Sequence, residues 1–149
     1  MSGDLEFMQA ALVEARAAGE AGEVPIGAVV IFESRIIATG QNSVVRRLDP
    51  TAHAEIVAMR AAARVLGNYR LLGCTLFCTL EPCAMCAGAL IHARVGRLVY
   101  AAPDPKAGAC GSVLSVLNHP QLTHQMPVEH GVLGEESAEL LRSFFRDRR

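Results

Sequence analysis

His53, Glu55, Cys83 and Cys86 are the residues of this chain whose types and spacing suit chemistry. One imidazole and two thiols make a three-donor set that fits a tetrahedral zinc with its fourth position left open. Glu55 is then a carboxylate close to the metal but not needed to hold it. An open zinc beside a spare carboxylate is the apparatus for activating a water. The donors come from two short stretches that must meet in space: Pro50-Thr51-Ala52-His53-Ala54-Glu55 and Thr79-Leu80-Glu81-Pro82-Cys83-Ala84-Met85-Cys86.

The local sequence predicts what positions them. Pro82 suits the first position of a helix, where its fixed φ fits and its missing N–H is not needed. Cys83 and Cys86 then lie three apart in the opening turns, on nearly one face. The positive end of the helix dipole favours thiolates there. Thr51 suits the N-cap of another helix, with His53 in its first turn. At about 100° per residue, His53 and Glu55 point roughly 200° apart in a regular helix. They share a site only if the metal lies at the helix end, so the expectation is two helix N-termini aimed at one ion.

The remaining elements follow from periodicity and punctuation. Residues 4 to 18 read as an amphipathic helix with Leu5, Met8, Leu12 and Ala15 on one stripe, ended by Gly19 and Gly22. Residues 25 to 32 and 36 to 40 form two strands around Glu33-Ser34-Arg35, hence an antiparallel hairpin. A polar loop, 42 to 50, precedes a helix from about Ala52 to Leu66. Ile56, Met59, Ala63 and Leu66 mark its buried stripe, and Gly67-Asn68 its end. A strand at 75 to 80 leads into the cysteine helix, roughly 83 to 92, and then a strand at 95 to 101; strand, helix, strand predicts a parallel crossover. Small residues Ala87, Gly88 and Ala89 allow another element to approach that helix. Residues 103 to 111 form a Pro- and Gly-rich loop of the kind that carries function. A short helical turn at Val113 to Leu117, a last strand at Val128 to Leu133 and a helix from Glu135 to about Arg146 complete the chain. The expected fold class is α/β: a three-layer α/β/α sandwich on a mixed, about five-stranded sheet, in one domain spanning 1–149.

Composition excludes several classes. With 51% hydrophobic and 19% charged residues, the chain is a folded globule rather than a disordered one. No apolar run reaches the ~18 residues of a membrane span. The N-terminus, Met1 to Glu6, is acidic and lacks a secretory signal pattern, so a cytoplasmic protein is expected. The net charge of -1 gives no global attraction to nucleic acid, and a local patch would have to supply it. Lys106 is the only lysine; the other basic residues are arginines, suited to bidentate phosphate contacts. Five cysteines in a reducing compartment are no disulfide framework. Cys74, Cys78 and Cys110 are read as small buried hydrophobes.

Taken together, the histidine and cysteine stretches match H-x-E…P-C-x-x-C, an already described signature of zinc nucleobase deaminases. The likeness extends through Glu23 to Val29, Asn42, Asp49 to Glu55, Asn68 to Leu71, Thr79 to Gly88, Gly108 to Ser112 and Phe144-Phe145-Arg146. In these segments the chain resembles the bacterial tRNA-specific adenosine deaminases of the cytidine deaminase-like superfamily, in register over almost its whole length. The resemblance implies the same sandwich fold, one Zn2+ per subunit, a homodimer, and the wobble adenosine of a tRNA anticodon stem-loop as substrate. It implies that Asn42 hydrogen-bonds the purine and that Glu23 and Val24 wall the pocket. It also implies that Asp104 and Lys106 touch the anticodon backbone and ribose, and that Phe144, Phe145 and Arg146 meet loop nucleotides. Pro103 departs from the pattern: better-known members often carry Arg there.

The chemistry expected is hydrolytic deamination, with Glu55 taking a proton from the activated water and delivering protons to the ring nitrogen and the leaving ammonia. Two rivals make different demands. A deaminase of a free base such as guanine or cytosine uses the same signature without an RNA-facing rim. A zinc-stabilised binding module needs a fourth protein ligand and gives Glu55 no role.

Overall fold

The computed structural model describes residues 3–148; Met1 and Ser2, used above in reading the N-terminus, and Arg149 lie outside them. In chain order the elements are α1 (Asp4–Glu20), β1 (Gly27–Phe32), β2 (Arg35–Gln41), α2 (Ala54–Leu66), β3 (Thr75–Leu80), α3 (Ala84–His92), β4 (Arg97–Ala102), β5 (Val128–His130) and α4 (Gly134–Asp147). The strands form one sheet in the order β2-β1-β3-β4-β5. β1 is antiparallel to β2 and β3, whereas β3, β4 and β5 run parallel. The expected mixed five-stranded α/β fold is what the chain adopts.

Alternation along the strands sorts the core into two layers. Val29, Ile31, Phe77, Val99 and Ala101 face Met8 and Ala11 of α1. Ala28, Val30, Leu76, Cys78, Leu98 and Tyr100 face Ala54, Ala58 and Ala62 of α2 and Ala87 and Leu90 of α3. With both faces covered, the central strands read as near-continuous apolar runs. α4 packs back against β3 and β4, where its buried Ser137 donates its hydroxyl to the Thr79 carbonyl.

Two glycines let helices lie close on the sheet. A Cβ on Gly27 would fall 2.2 Å from the Ala11 carbonyl oxygen, and one on Gly40 2.3 Å from that of Ala54. The approach over Gly40 leaves room only for small side chains. The buried face of α2 is Ala54, Glu55, Ala58, Met59 and Ala62, with alanines at the closest approach; of the predicted stripe only Met59 lies on it, and Ile56, Ala63 and Leu66 are partly buried. In α1, Leu5 is exposed and Asp4 buried instead, where it pairs with Arg97 on the α1 face of the sheet at 2.6 Å.

Other boundaries also differ from expectation. α1 runs through Gly19 to Glu20, and Gly22 makes the turn at φ +88°. β4 starts at Arg97 rather than Val95. β5 stops at His130, because left-handed backbone at Gly131 and Leu133 turns the chain out of the sheet. Val113 to Leu117 form no helical turn: the amides of Val113 and Leu114 both bond the Gly108 carbonyl, and Cys110 bridges to Ser115. Cys74 and Cys78 are buried as expected, while Cys110 is half-buried. Gly88 has open space where a Cβ would be, so no described element of this chain packs there. Among the described residues, no helix is long and apolar enough to cross a membrane.

Candidate active site

The loop before α2 is pinned by Asp49, whose Oδ1 accepts from the Thr51 amide at 2.8 Å and the Thr51 hydroxyl at 2.7 Å. Thr51 is thereby used in the turn, and the N-cap of α2 is His53, with extended backbone at φ -68°, ψ 155°. At α3 the same shift occurs. Cys83 is the N-cap, at φ -77°, ψ 178°, and Pro82 stands just before the helix rather than at its first position. An N-cap residue lies outside the helical backbone, so its side chain need not follow the 100° progression. That removes the conflict between His53 and Glu55, because only Glu55 is helical. Cys86 lies in the first turn of α3.

The three donors meet. His53 Nδ1 lies 3.6 Å from Cys83 Sγ and 3.5 Å from Cys86 Sγ. Tetrahedral zinc, with bonds of about 2.3 Å to sulfur and 2.0–2.1 Å to nitrogen, separates such donors by about 3.6 Å. Among the described residues, no fourth His, Cys, Asp or Glu joins the group, so the site is open. Its electrostatics also call for a cation. The Cys86 thiol and His53 pull Cys83 down to about 3. Cys86 is pushed far up, by its hydrogen bond with Cys83 and by burial. Alone, the pair holds one negative charge; a divalent metal lets both thiols ionise. His53 is raised, first by its hydrogen bond with Cys83. The residues present fit zinc in number, spacing and charge.

Glu55 lies outside this group at 4% exposure. Burial pushes its carboxyl up to about 7, the Cys83 charge adding and its own backbone amide and His53 opposing. Such a value suits a group that both takes and gives protons near neutrality. Asn42 is also buried. Its Nδ2 donates to the Val24 carbonyl at 3.2 Å, and its Oδ1 has no partner. Next to it, the Ser43 amide bonds the Ala52 carbonyl at 2.9 Å, tying this loop to the start of α2.

The other predicted residues fall into three places. Glu23 is buried and accepts from the amides of Val45 at 3.1 Å and Arg46 at 2.9 Å, and from Arg46 Nε at 3.1 Å. Burial would raise its carboxyl, but these donors outweigh that and hold it below its usual range. Asp104 uses Oδ1 to accept from the amides of Lys106 and Ala107, and the Lys106 side chain is exposed. Phe144, Phe145 and Arg146 form a separate group at the end of α4. The two rings meet edge to face at 5.4 Å, Arg148 stacks on Phe144 at 3.8 Å, and Phe145 is exposed. Phe144 also lines a shallow cavity with Gly19 and Pro25, beside the segment of Glu23 and Val24.

Two residues escape a reading by motif. Arg46, one of many arginines in the sequence, reaches Glu23 and the Asn42 carbonyl at 2.9 Å and so braces the Asn42 loop. Glu81 is buried beneath the 104–112 segment, accepting from Asp104, Cys110 and Ser112. The signal for Glu81 was an acid closing a buried strand directly before Pro82; Arg46 had none.

A three-donor metal site at two helix N-termini, with a buried carboxylate beside it on a mixed sheet, defines a zinc-dependent deaminase of the cytidine deaminase kind. Residues 1–102 match the family described as the cytidine and deoxycytidylate deaminase zinc-binding region. The tRNA-specific adenosine deaminase of Agrobacterium fabrum is 50% identical over 143 residues, covering 96% of this chain and 94% of that one. Its counterpart in Bacillus subtilis is 44% identical over 149 residues, covering 100% and 92%. A solved structure from work on A-to-I editing by tRNA:A34 deaminases at the wobble position of transfer RNA superposes with a TM-score of 0.88 at 49% identity, covering 91% of this chain and 99% of that one. A guanine deaminase from Nitrosomonas europaea gives 0.80 at 32%, covering 94% and 83%. The chain belongs to the zinc-binding cytidine and deoxycytidylate deaminase family and, within it, to the tRNA-specific adenosine deaminases.

Proposed function

We propose that this chain hydrolyses the wobble adenosine of a tRNA anticodon to inosine, releasing ammonia. The observation that carries the chemistry is the open His53–Cys83–Cys86 set with Glu55 buried beside it and outside it. The substrate class rests on relatives such as that of Agrobacterium fabrum, 50% identical over nearly the whole chain. His53, Cys83 and Cys86 would hold zinc, which when bound lowers the pKa of water from about 16 to about 7. Glu55 accepts the water's proton and returns protons to the ring nitrogen and the departing amine. Buried beside the site and outside the donor set, one carboxyl serves both transfers. Asn42 Oδ1 is a buried acceptor awaiting a donor, which the incoming nucleoside supplies. Glu23 and Val24 hold the Asn42 loop through a carboxylate and a carbonyl. Asp104, Lys106, Phe144, Phe145 and Arg146 supply the RNA contacts outside the base.

On this reading residues 1–149 act as one deaminase domain, the enzyme is a cytoplasmic homodimer, and each subunit carries one zinc. Open space at Gly88 and the partly buried Ile56 and Leu66 are compatible with a second copy packing there. Guanine deamination is the second reading, because guanine deaminases share the fold at 0.80. The test is an inosine assay on an anticodon stem-loop with adenosine at the wobble position, with free adenosine, guanine and cytosine alongside and Glu55→Ala as control. Inosine from the RNA alone, lost in the variant, is expected. Ammonia from a free base and none from the RNA overturns the substrate assignment.

A further inference from the structure

Glu81 follows the last residue of β3 and lies two residues before Cys83, at 3% exposure. Its carboxylate accepts four hydrogen bonds. Oε1 takes the Asp104 amide at 3.0 Å and the Ser112 hydroxyl. Oε2 takes the amides of Cys110 at 2.9 Å and Ser112 at 3.1 Å. Every donor belongs to the segment 104–112, so the burial of this anion is compensated by one loop. Gly108 closes over it. A Cβ there would fall 2.4 Å from the Glu81 carboxyl carbon. The Ala109 amide adds a bond to the Pro82 carbonyl at 2.9 Å. The loop is thus fastened to the two residues directly before the cysteine that opens α3.

We propose that Glu81 is a positioning residue for the RNA substrate: its carboxylate fixes the 104–112 backbone, and with it the Asp104 turn and Lys106, relative to the metal-holding end of α3. The inference rests on the tRNA deaminase reading. A loop already fixed loses little freedom when RNA binds, whereas a released loop must be ordered by binding. The effect therefore belongs to KM rather than kcat. Glutamine is no substitute. The Gln amide nitrogen would oppose the Asp104 amide in one orientation and the amides of Cys110 and Ser112 in the other.

The experiment compares Glu81→Gln, Gly108→Ala and the double variant in the zinc-loaded full chain. Gly108→Ala disturbs the same contact from the loop side, away from Cys83. The readouts are kcat and KM on the anticodon stem-loop, zinc content, and hydrogen exchange across 104–112. Either single variant should raise KM about tenfold or more. Zinc content should stay full, kcat should stay within about threefold, and the loop amides should exchange faster. The double variant should be little worse than the worse single one, because both break one contact. Zinc loss with a fall in kcat would mean that Glu81 supports the metal helix instead and overturns the proposal; so does an unchanged KM. If the native chain does not act on the stem-loop, the functional reading fails and the RNA role with it. Exchange then still decides the clamp, since unchanged protection in both variants removes it.

Discussion

Asn42 Oδ1 is a buried acceptor with no donor, and a group left so costs about 1–3 kcal/mol in the free protein. Removing it relieves that cost, while loss of the Nδ2 bond to Val24 works the other way. The Val24 carbonyl keeps the Ile26 amide at 2.8 Å. Asn42→Ala should therefore fold with a Tm within about 3 °C of the native chain, yet lose about tenfold or more in kcat/KM on the stem-loop. Thermal melts and steady-state kinetics on the same preparation check it. Intact kinetics in a folded variant would show that Asn42 does not meet substrate. At this scale the metal ligands were legible because His53, Cys83 and Cys86 carry their meaning in residue type and short spacing. How His53 and Glu55 converge was not, since it depends on His53 being the N-cap, and that depends on Thr51 being drawn into a turn by Asp49. What Glu81 binds was hidden for a related reason. Its partners are mostly backbone amides 23 to 31 residues further on, and amides leave no mark in a sequence.

The elements that position the site are set by how closely helices approach the sheet. α2 carries the N-cap ligand at one end and lies over Gly40 along its length. A Cβ there would meet the Ala54 carbonyl at 2.3 Å and the Ala58 amide at 2.6 Å, both backbone atoms that cannot rotate away. Gly40→Ala must lift α2 from the sheet, costing about 1–3 kcal/mol, and must move His53 relative to the two cysteines on α3. A lower Tm together with weaker zinc retention against a chelator is expected. A Tm loss with unaltered zinc retention would show that the ligand ends of α2 and α3 move independently of the α2–sheet contact. The strands and α2 were readable from their apolar runs and from Gly67, but of the buried stripe of α2 only Met59 was. Hydrophobic size pointed to Ile56 and Leu66, whereas close packing over Gly40 selects alanines. The run Val113 to Leu117 misled in the same way: apolar content suggested a helical turn, and the Gly108 carbonyl, accepting from two amides, replaced it.

Across the whole molecule, the end of the sheet away from the metal is tied by one arginine. Arg97, opening β4, reaches Asp4 of α1 through both Nη atoms at 3.1 and 2.6 Å and Glu129 of β5 at 2.8 Å, and lies 5.9 Å over the Phe77 ring. The Arg97 hydrogen bond, opposed by burial and aided by the guanidinium charge, holds the Asp4 carboxyl below its ordinary 3.8. A carboxyl whose pKa is depressed by folding stabilises the fold fully above its unfolded value, and that contribution is lost as pH falls through the folded value. The sign is fixed: acid removes the Asp4 contribution, and alkali up to neutrality does not. Asp4→Asn should lower the Tm at pH 7 by several degrees, from a loss of about 1–2 kcal/mol. The gap between variant and native chain should then close as pH falls below about 4. Comparing the two chains at each pH cancels the zinc loss that acid causes in both. A gap that stays constant down to the acid limit would show that Arg97 holds Asp4 by shape and neutral hydrogen bonding rather than by charge. The tie between α1, β4 and β5 would then be as firm in acid as at neutrality.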